Sequence, residues 1–179
     1  MSVRRVATGH DAGRSVVVAD AELDPVEVLA APGMKFYQVW AAASPPTLPF
    51  GGNIDVSGPY FPRSGGVRIV HVLLPAQSTA AVDVKIDPKV AAADMEAKLP
   101  GLLAHMEPSE PGMHASDTVD VGVVKSGEVW CELDDGKEVH LRAGDFIVQN
   151  GTRHRWVNRS EAPCEMTFVV VGATRTSVT

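Results

Sequence analysis

Cysteine is nearly absent from the 179-residue chain: Cys131 and Cys164 are the whole supply, and no C-x-x-C occurs. That excludes a disulfide framework and gives no zinc-ribbon spacing. Positive charge is in deficit, with 16 Lys and Arg against 22 Asp and Glu and a net charge of −6. A phosphate-backbone partner therefore has no bulk electrostatic support, and nucleic acid is not expected. Long apolar runs are missing as well. Nothing approaches the ~18 residues that span a bilayer, and the opening MSVRRVATGHDAG has no apolar stretch of signal-peptide type. The expectation is a cytoplasmic protein without membrane contact. No P-loop, G-x-G-x-x-G or Ser-His-Asp signature is present. Asn158-Arg159-Ser160 matches a glycosylation sequon, which carries no meaning without secretion.

Proline is abundant early and almost gone late: of 13 prolines, only Pro163 lies beyond residue 112. What is present instead changes character at that point. The segment Pro45 to Gly66 is dense in Gly and Pro and reads as a long structured loop. Its Phe50, Tyr60 and Phe61 are apolar payload that a solvated linker does not need, so it is expected near a barrel mouth or a subunit boundary. β-like stretches run Val3 to Ala7, Ser15 to Ala19 and Phe36 to Ala41, the first two flanking a turn that holds His10. Val67 to Leu74 (VRIVHVLL) reads as a buried strand. Arg68 and His71 fall on its opposite faces, so at most one looks inward. One helix follows, with Asp87 as cap, Pro88 at its first position and Pro100-Gly101 at its end. Residues 1–111 are read as an extension packing on a region at 112–175, in one globular domain overall.

From Gly112 onward the pattern is β throughout. VDVGVV, EVWCEL, EVHLR, DFIV, HRWVN and CEMTFVVV alternate with Gly-bearing turns. Asp-Asp-Gly at 134–136 is the strongest hairpin signal. Many short strands with such turns indicate a sandwich, barrel or jelly roll.

Two ordered patterns stand in this half. The first is His114-x-Ser116, three residues, Asp120, six residues, Gly127. The second runs Gly144, Gln149, Gly151, His154, Asn158. Residues 112–172 thereby resemble the cupin superfamily, whose motifs carry His-x-His with Glu, and Pro-x-Gly with His and Asn. Ser116 replaces the second His, Asp120 the Glu, and Gln149 the Pro. The resemblance implies a mainly β fold, a cupin-type double-stranded β-helix (jelly-roll) barrel with an N-terminal β extension and a short helix.

It also implies a divalent metal ion, Fe, Zn, Mn or Ni, bound inside the barrel by His114, Asp120 and His154, two imidazoles and a carboxylate. Alternation places His114 and Ser116 on one face, about 7 Å apart, and His154, Trp156 and Asn158 on another. Asp120 lies about 20 Å of straight strand beyond His114, so it reaches a common ion only if the chain bends near residues 116–118. Ser116, Trp156 and Gln149 are the expected pocket residues, and His154 and Asp120 the catalytic ones. The implied activity is a metal-dependent oxygenase, lyase or isomerase acting on a small organic molecule. Two alternatives stay open. One is a non-catalytic binder with a degenerate metal site, and the other a metal-free isomerase or dehydratase with His154 as acid or base. His105, Glu107, Glu110 and His114 form a rival cluster, but Pro108, Pro111 and Gly112 break any helix that would align them. Arg153 and Arg155 alternate with His154 and belong to a solvated face. Cys131 and Cys164 read as core hydrophobes. A homodimer is expected, with Trp40 and Trp130 at the contact.

Overall fold

The computed structural model describes residues 2–49, 54–80 and 86–176; Phe50 of the early loop lies outside them. Ten strands are present among these residues: β1 (Val3–Asp11), β2 (Arg14–Leu23), β3 (Lys35–Ala42), β4 (Val67–Leu74), β5 (Thr118–Ser126), β6 (Glu128–Glu132), β7 (Glu138–Arg142), β8 (Phe146–Asn150), β9 (Arg155–Val157) and β10 (Cys164–Gly172). They pair as a β1-β2 hairpin, a five-stranded sheet ordered β3-β4-β10-β5-β8, and a three-stranded sheet ordered β7-β6-β9. The neighbours in both larger sheets are antiparallel, and most are distant in sequence. This is the jelly-roll arrangement, with the two sheets facing each other and unclosed at their seam.

Period-2 alternation decides which side chains meet between the sheets. Val70, Val72 and Leu74 of β4, Met166, Phe168 and Val170 of β10, and Val124 of β5 face Val129 and Leu141 across the interior. Each such burial contributes roughly 1.5–3 kcal/mol. Cys131 and Cys164 are both free and fully buried, so they fill the core as expected; burial pushes their thiols up to about 11 and about 12. The stretch at Phe36 finds its partner at a distance: β3 pairs antiparallel with β4, with a bulge between Gln38 and Trp40.

The helix forms where its signals stand. In α2 (Pro88–Lys98) the Asp87 carboxylate accepts from the Lys89 amide at 2.8 Å, and Met95 and Leu99 reach the core. A four-residue turn of helix, α1 (Gln77–Ala80), precedes it. Asp94 and Lys98 of α2 grip the segment before β3, accepting from Leu29 N and donating to Glu27 O at 2.8 Å each.

The early loop is fastened to the barrel by backbone. Gly172 N donates to Gly66 O at 2.9 Å, Tyr60 N donates to Pro100 O at 2.7 Å, and the Tyr60 and Phe61 rings are 8% and 9% exposed. A Cβ on Gly172 would meet Arg63 O at 1.9 Å. Gly172→Ala should therefore cost about 3 kcal/mol in chemical denaturation, the scale of severe overpacking, and should speed proteolysis within residues 54–66. Gly136→Ala, at φ +70° with open space around it, should cost about 1 kcal/mol and leave that cleavage rate unchanged.

Candidate functional site

Two chain segments cross where the motifs end. His114 N donates to His154 O at 2.9 Å, and His154 N donates to His114 O at 2.9 Å. That antiparallel bridge puts the ring centroids 4.4 Å apart at 49°. Each Nδ1 faces a carbonyl oxygen, Gly112 O at 3.0 Å for His114 and Thr152 O at 2.9 Å for His154. A carbonyl only accepts, so each Nδ1 carries the hydrogen and each neutral ring presents a lone pair at Nε2. Burial lowers both rings: His114 is shifted down by desolvation against the opposing Gly112 bond, and His154 falls to about 4 through desolvation and its imidazole neighbour. Both are neutral at pH 7.

Asp120 sits on the inner face of β5, 6% exposed, with Oδ1 lacking any hydrogen-bond partner. Desolvation raises its carboxyl to about 6, with the Thr118 hydroxyl pulling the other way. By register it stands in one row with Gln149 of β8, Val170 of β10 and Arg68 of β4. Ser116 is buried and bonds Thr118 Oγ1 at 2.7 Å. Gln149 donates to Cys131 Sγ at 3.0 Å and accepts from the Thr152 hydroxyl. Trp156 packs its ring between His154, at 5.4 Å, and Phe168, at 5.5 Å. Asn158 is spent on structure, donating to Pro75 O at 3.0 Å and Ala162 O at 2.8 Å.

The expected ligand set of His114, Asp120 and His154 is not assembled. Among the described residues, no group of three or more His, Cys, Asp and Glu side chains is placed so that it could hold a metal ion. His114 bridges His154, and Asp120 lies six residues on, in the ladder with Gln149 and Val170. The two imidazoles, each with Nε2 free, are the nitrogen donors of the expected set, and as placed they are not joined by a carboxylate that completes it. The rival acidic cluster is turned away: Arg153 takes Glu107 at 2.6 Å and Glu110 at 2.7 Å. Arg155 likewise pairs with Glu132 at 2.5 Å on the outer face.

Three residues near the site escape a reading by motif. Phe61 stacks edgewise on His105 at 4.8 Å and lies 6.0 Å from His114, capping the imidazole pair. Tyr60 is buried, and its hydroxyl is shifted well up by burial and by the Asp120 charge. Arg68 is the inward residue of the Arg68/His71 alternative, 2% exposed beside Val70 and Val72. The aromatic pair in the early loop and the strand alternation were the signals available.

Comparison with known proteins follows the same half of the chain. Residues 102–171 match the family model described as a cupin domain. Phomopsin biosynthesis cluster protein C′ of Diaporthe leptostromiformis is 44% identical over 62 residues, 34% of this chain and 33% of that protein. Oryzines biosynthesis cluster protein J of Aspergillus oryzae is 44% identical over 52 residues, 29% of each. The cupin-domain-containing oxidoreductase fogC of Aspergillus ruber is 37% identical over 65 residues, 35% of this chain and 32% of that protein. The chain thus spans about a third of the length of the curated relatives it matches. Among solved structures, an RmlC-like cupin of Methanocaldococcus jannaschii aligns at 14% identity over 59% of this chain and 70% of that one, TM-score 0.37, a level too low to bear on function. No helix of the described residues is long and apolar enough to cross a membrane.

The two buried ionisable types pull stability in opposite directions with pH. His154 has a folded value below its unfolded one, so its contribution holds above about 6.5 and is lost as pH falls toward 4. Asp120 has a folded value above its unfolded one, so its contribution is present below 3.8 and is lost as pH rises through about 6. Asp120→Asn should therefore be more stable than the native chain at pH 8, by roughly 2–3 kcal/mol at 1.4 kcal/mol per pH unit, with the gap closing by pH 4. His154→Gln should flatten the loss between pH 6.5 and 4. Urea denaturation across pH 4–8 checks both, and an Asn variant no more stable at pH 8 would refute the assignment.

Proposed function

The chain belongs to the cupin superfamily through the domain at residues 102–171, and on that premise we propose that it is an enzyme moving a proton on a small organic molecule held in the barrel interior. The observation that carries this reading is the imidazole pair: His114 and His154, rings 4.4 Å apart, both neutral and both fixed with Nε2 as the free acceptor. A neutral imidazole in a desolvated site is a base that needs no prior deprotonation at pH 7. His154 takes the proton at Nε2. His114, its ring alongside, accepts a hydrogen bond from the substrate and orients it. Asp120 supplies a carboxyl shifted to about 6, which holds or returns a proton at the other side of the interior. Phe61 and Trp156 wall the site with apolar surface and keep water from the imidazoles. Similarity to proteins named as cupin-domain-containing oxidoreductases supports catalysis over passive binding.

Incubating the purified protein in deuterium oxide with a panel of small ketones and keto acids tests the reading by mass spectrometry. The native chain should incorporate deuterium beside the carbonyl of at least one compound, and His154→Gln should lower that rate at least a hundredfold. Metal content is measured on the same sample. Exchange that is equal in the two proteins, or that tracks a full equivalent of divalent metal and vanishes with chelator, would overturn metal-free proton transfer.

The assembly proposed is a homodimer. The support is apolar surface on the outer face of the five-stranded sheet, where Phe146 is 69% and Val148 55% exposed. Trp130, by contrast, is stacked by its own His140 at 4.1 Å and covered by Arg159. Light scattering should give a mass near twice the 19.0 kDa of the chain; a mass near 19 kDa at micromolar concentration would end the proposal.

A further inference from the structure

Arg68 is a buried cation with no carboxylate in ion-pair contact; Asp55, in the loop that covers it, acts on it only from longer range. Its side chain is 2% exposed and shares a face of β4 with Val70, Val72 and Leu74. Nη1 donates to the Gln38 side-chain oxygen, and Nη2 makes two long bonds, 3.3 Å each, to the Ser57 and Gly58 carbonyls. Nε has no partner at all. Every acceptor it has is neutral, and the ion pairs among the described residues leave it out. A guanidinium does not deprotonate to escape such a place, and an unpaired buried charge is costly to keep.

The vacant donors lie along one edge. Nε and Nη2 form the side-on fork that a carboxylate takes with two parallel hydrogen bonds, and this is the edge with an orphan and two stretched bonds. Across the same row, past Val170, stands Asp120 with its own unpartnered Oδ1. Two strand spacings, about 10 Å between backbones, separate the two residues, and their side chains do not meet. Val170, 3% exposed, stands between them in that row, so a molecule joining the two groups passes over its side chain. Tyr60 lies in the field of both, its hydroxyl pushed one way by Asp120 and the other by Arg68.

We propose that the barrel interior takes a short carboxylate bearing a hydroxyl or amino group, the carboxylate held side-on by Arg68 Nε and Nη2 and the donor end turned to Asp120. The inference rests on the interior being the small-molecule site described above. Binding displaces the Ser57 and Gly58 carbonyls from Nη2, so the stretch ahead of Tyr60 moves when the site fills. Arg68 is then a specificity-determining residue. Its charge, offset only at longer range by Asp55, lowers the stability of the empty protein and selects for an anion.

Paired probes test this without requiring turnover: lactate against lactamide, and 3-hydroxybenzoate against 3-hydroxybenzamide, by calorimetry and thermal shift on the full chain. At least one carboxylate should bind tenfold or more tighter than its amide. Arg68→Lys, which keeps the charge but loses the fork, should weaken that carboxylate at least tenfold. Arg68→Met should abolish the preference while melting no lower than the native protein when empty; a merely structural Arg68 would instead lower the melting temperature and leave the preference intact. If Arg68→Met does not fold, Arg68→Lys decides alone. Equal binding of acid and amide, no binding by any carboxylate of the four probes, or a preference that survives at Arg68→Lys would overturn the proposal. Deuterium exchange that depends on His154 and persists without a carboxylate preference would leave proton transfer standing and remove this inference alone.

Discussion

The reciprocal backbone bond between His114 and His154 is the joint on which the interior depends. It ties the residue four before β5 to the residue just before β9, and so links the leading edges of two strands that belong to different sheets. The sheets share no ladder, which leaves this bridge to set their spacing at the motif end of the barrel. Backbone pairing also fixes where the side chains go. Two rings on directly opposed residues have no choice but to lie close, and the carbonyls of Gly112 and Thr152, each two residues upstream, then settle both tautomers. The chemistry of the pair is thus a consequence of main-chain geometry.

Desolvation acts on everything placed beyond that joint, with a sign set by charge. It keeps the imidazoles neutral and raises the Asp120 carboxyl, and it pulls the Arg68 guanidinium down without discharging it, which makes that charge costly. The apolar layer of Val70, Val72, Met166 and Phe168 beneath this row offsets the cost. A core built only for stability would carry aliphatic residues at 68 and 120, since well-packed apolar replacements of buried ions are often neutral or stabilising. Retaining a cation and a carboxyl in one row, each with an unpartnered atom, is a cost that core packing alone does not explain.

The sequence made much of this legible and hid the rest for definable reasons. Strand alternation and turn chemistry from Gly112 onward identify the β architecture, because each of those strands has one buried and one wetter face. The helix at 88–98 declares itself through Asp87 and Pro88. Spacing brings His114 and His154 forward, and backbone pairing sets their rings together. It also singles out Asp120, which alternation puts on the inner face of β5. Arg68 shows the converse: VRIVHVLL reads as uniformly buried, and only pairing with β10 reveals which polar residue of that strand faces the interior. Phe61 and Tyr60 are invisible to motif reasoning because their role comes from a loop returning across the barrel.

That loop joins stability to function. The Arg63 carbonyl lies where a Gly172 side chain would be, Gly66 accepts from Gly172 N, and Tyr60 N reaches Pro100 O, so the segment is held at both ends by backbone. Its hold on Arg68, two bonds of 3.3 Å from the Ser57 and Gly58 carbonyls, lies ahead of the Tyr60 anchor rather than between the anchors. Phe61, 6.0 Å from His114, lies within the anchored stretch. Exchanging those two carbonyls for a bound anion therefore requires movement only ahead of Tyr60 and leaves the ring beside His114 in place. Anion recognition and the cover of the imidazole are carried by neighbouring but separately fastened parts of one loop.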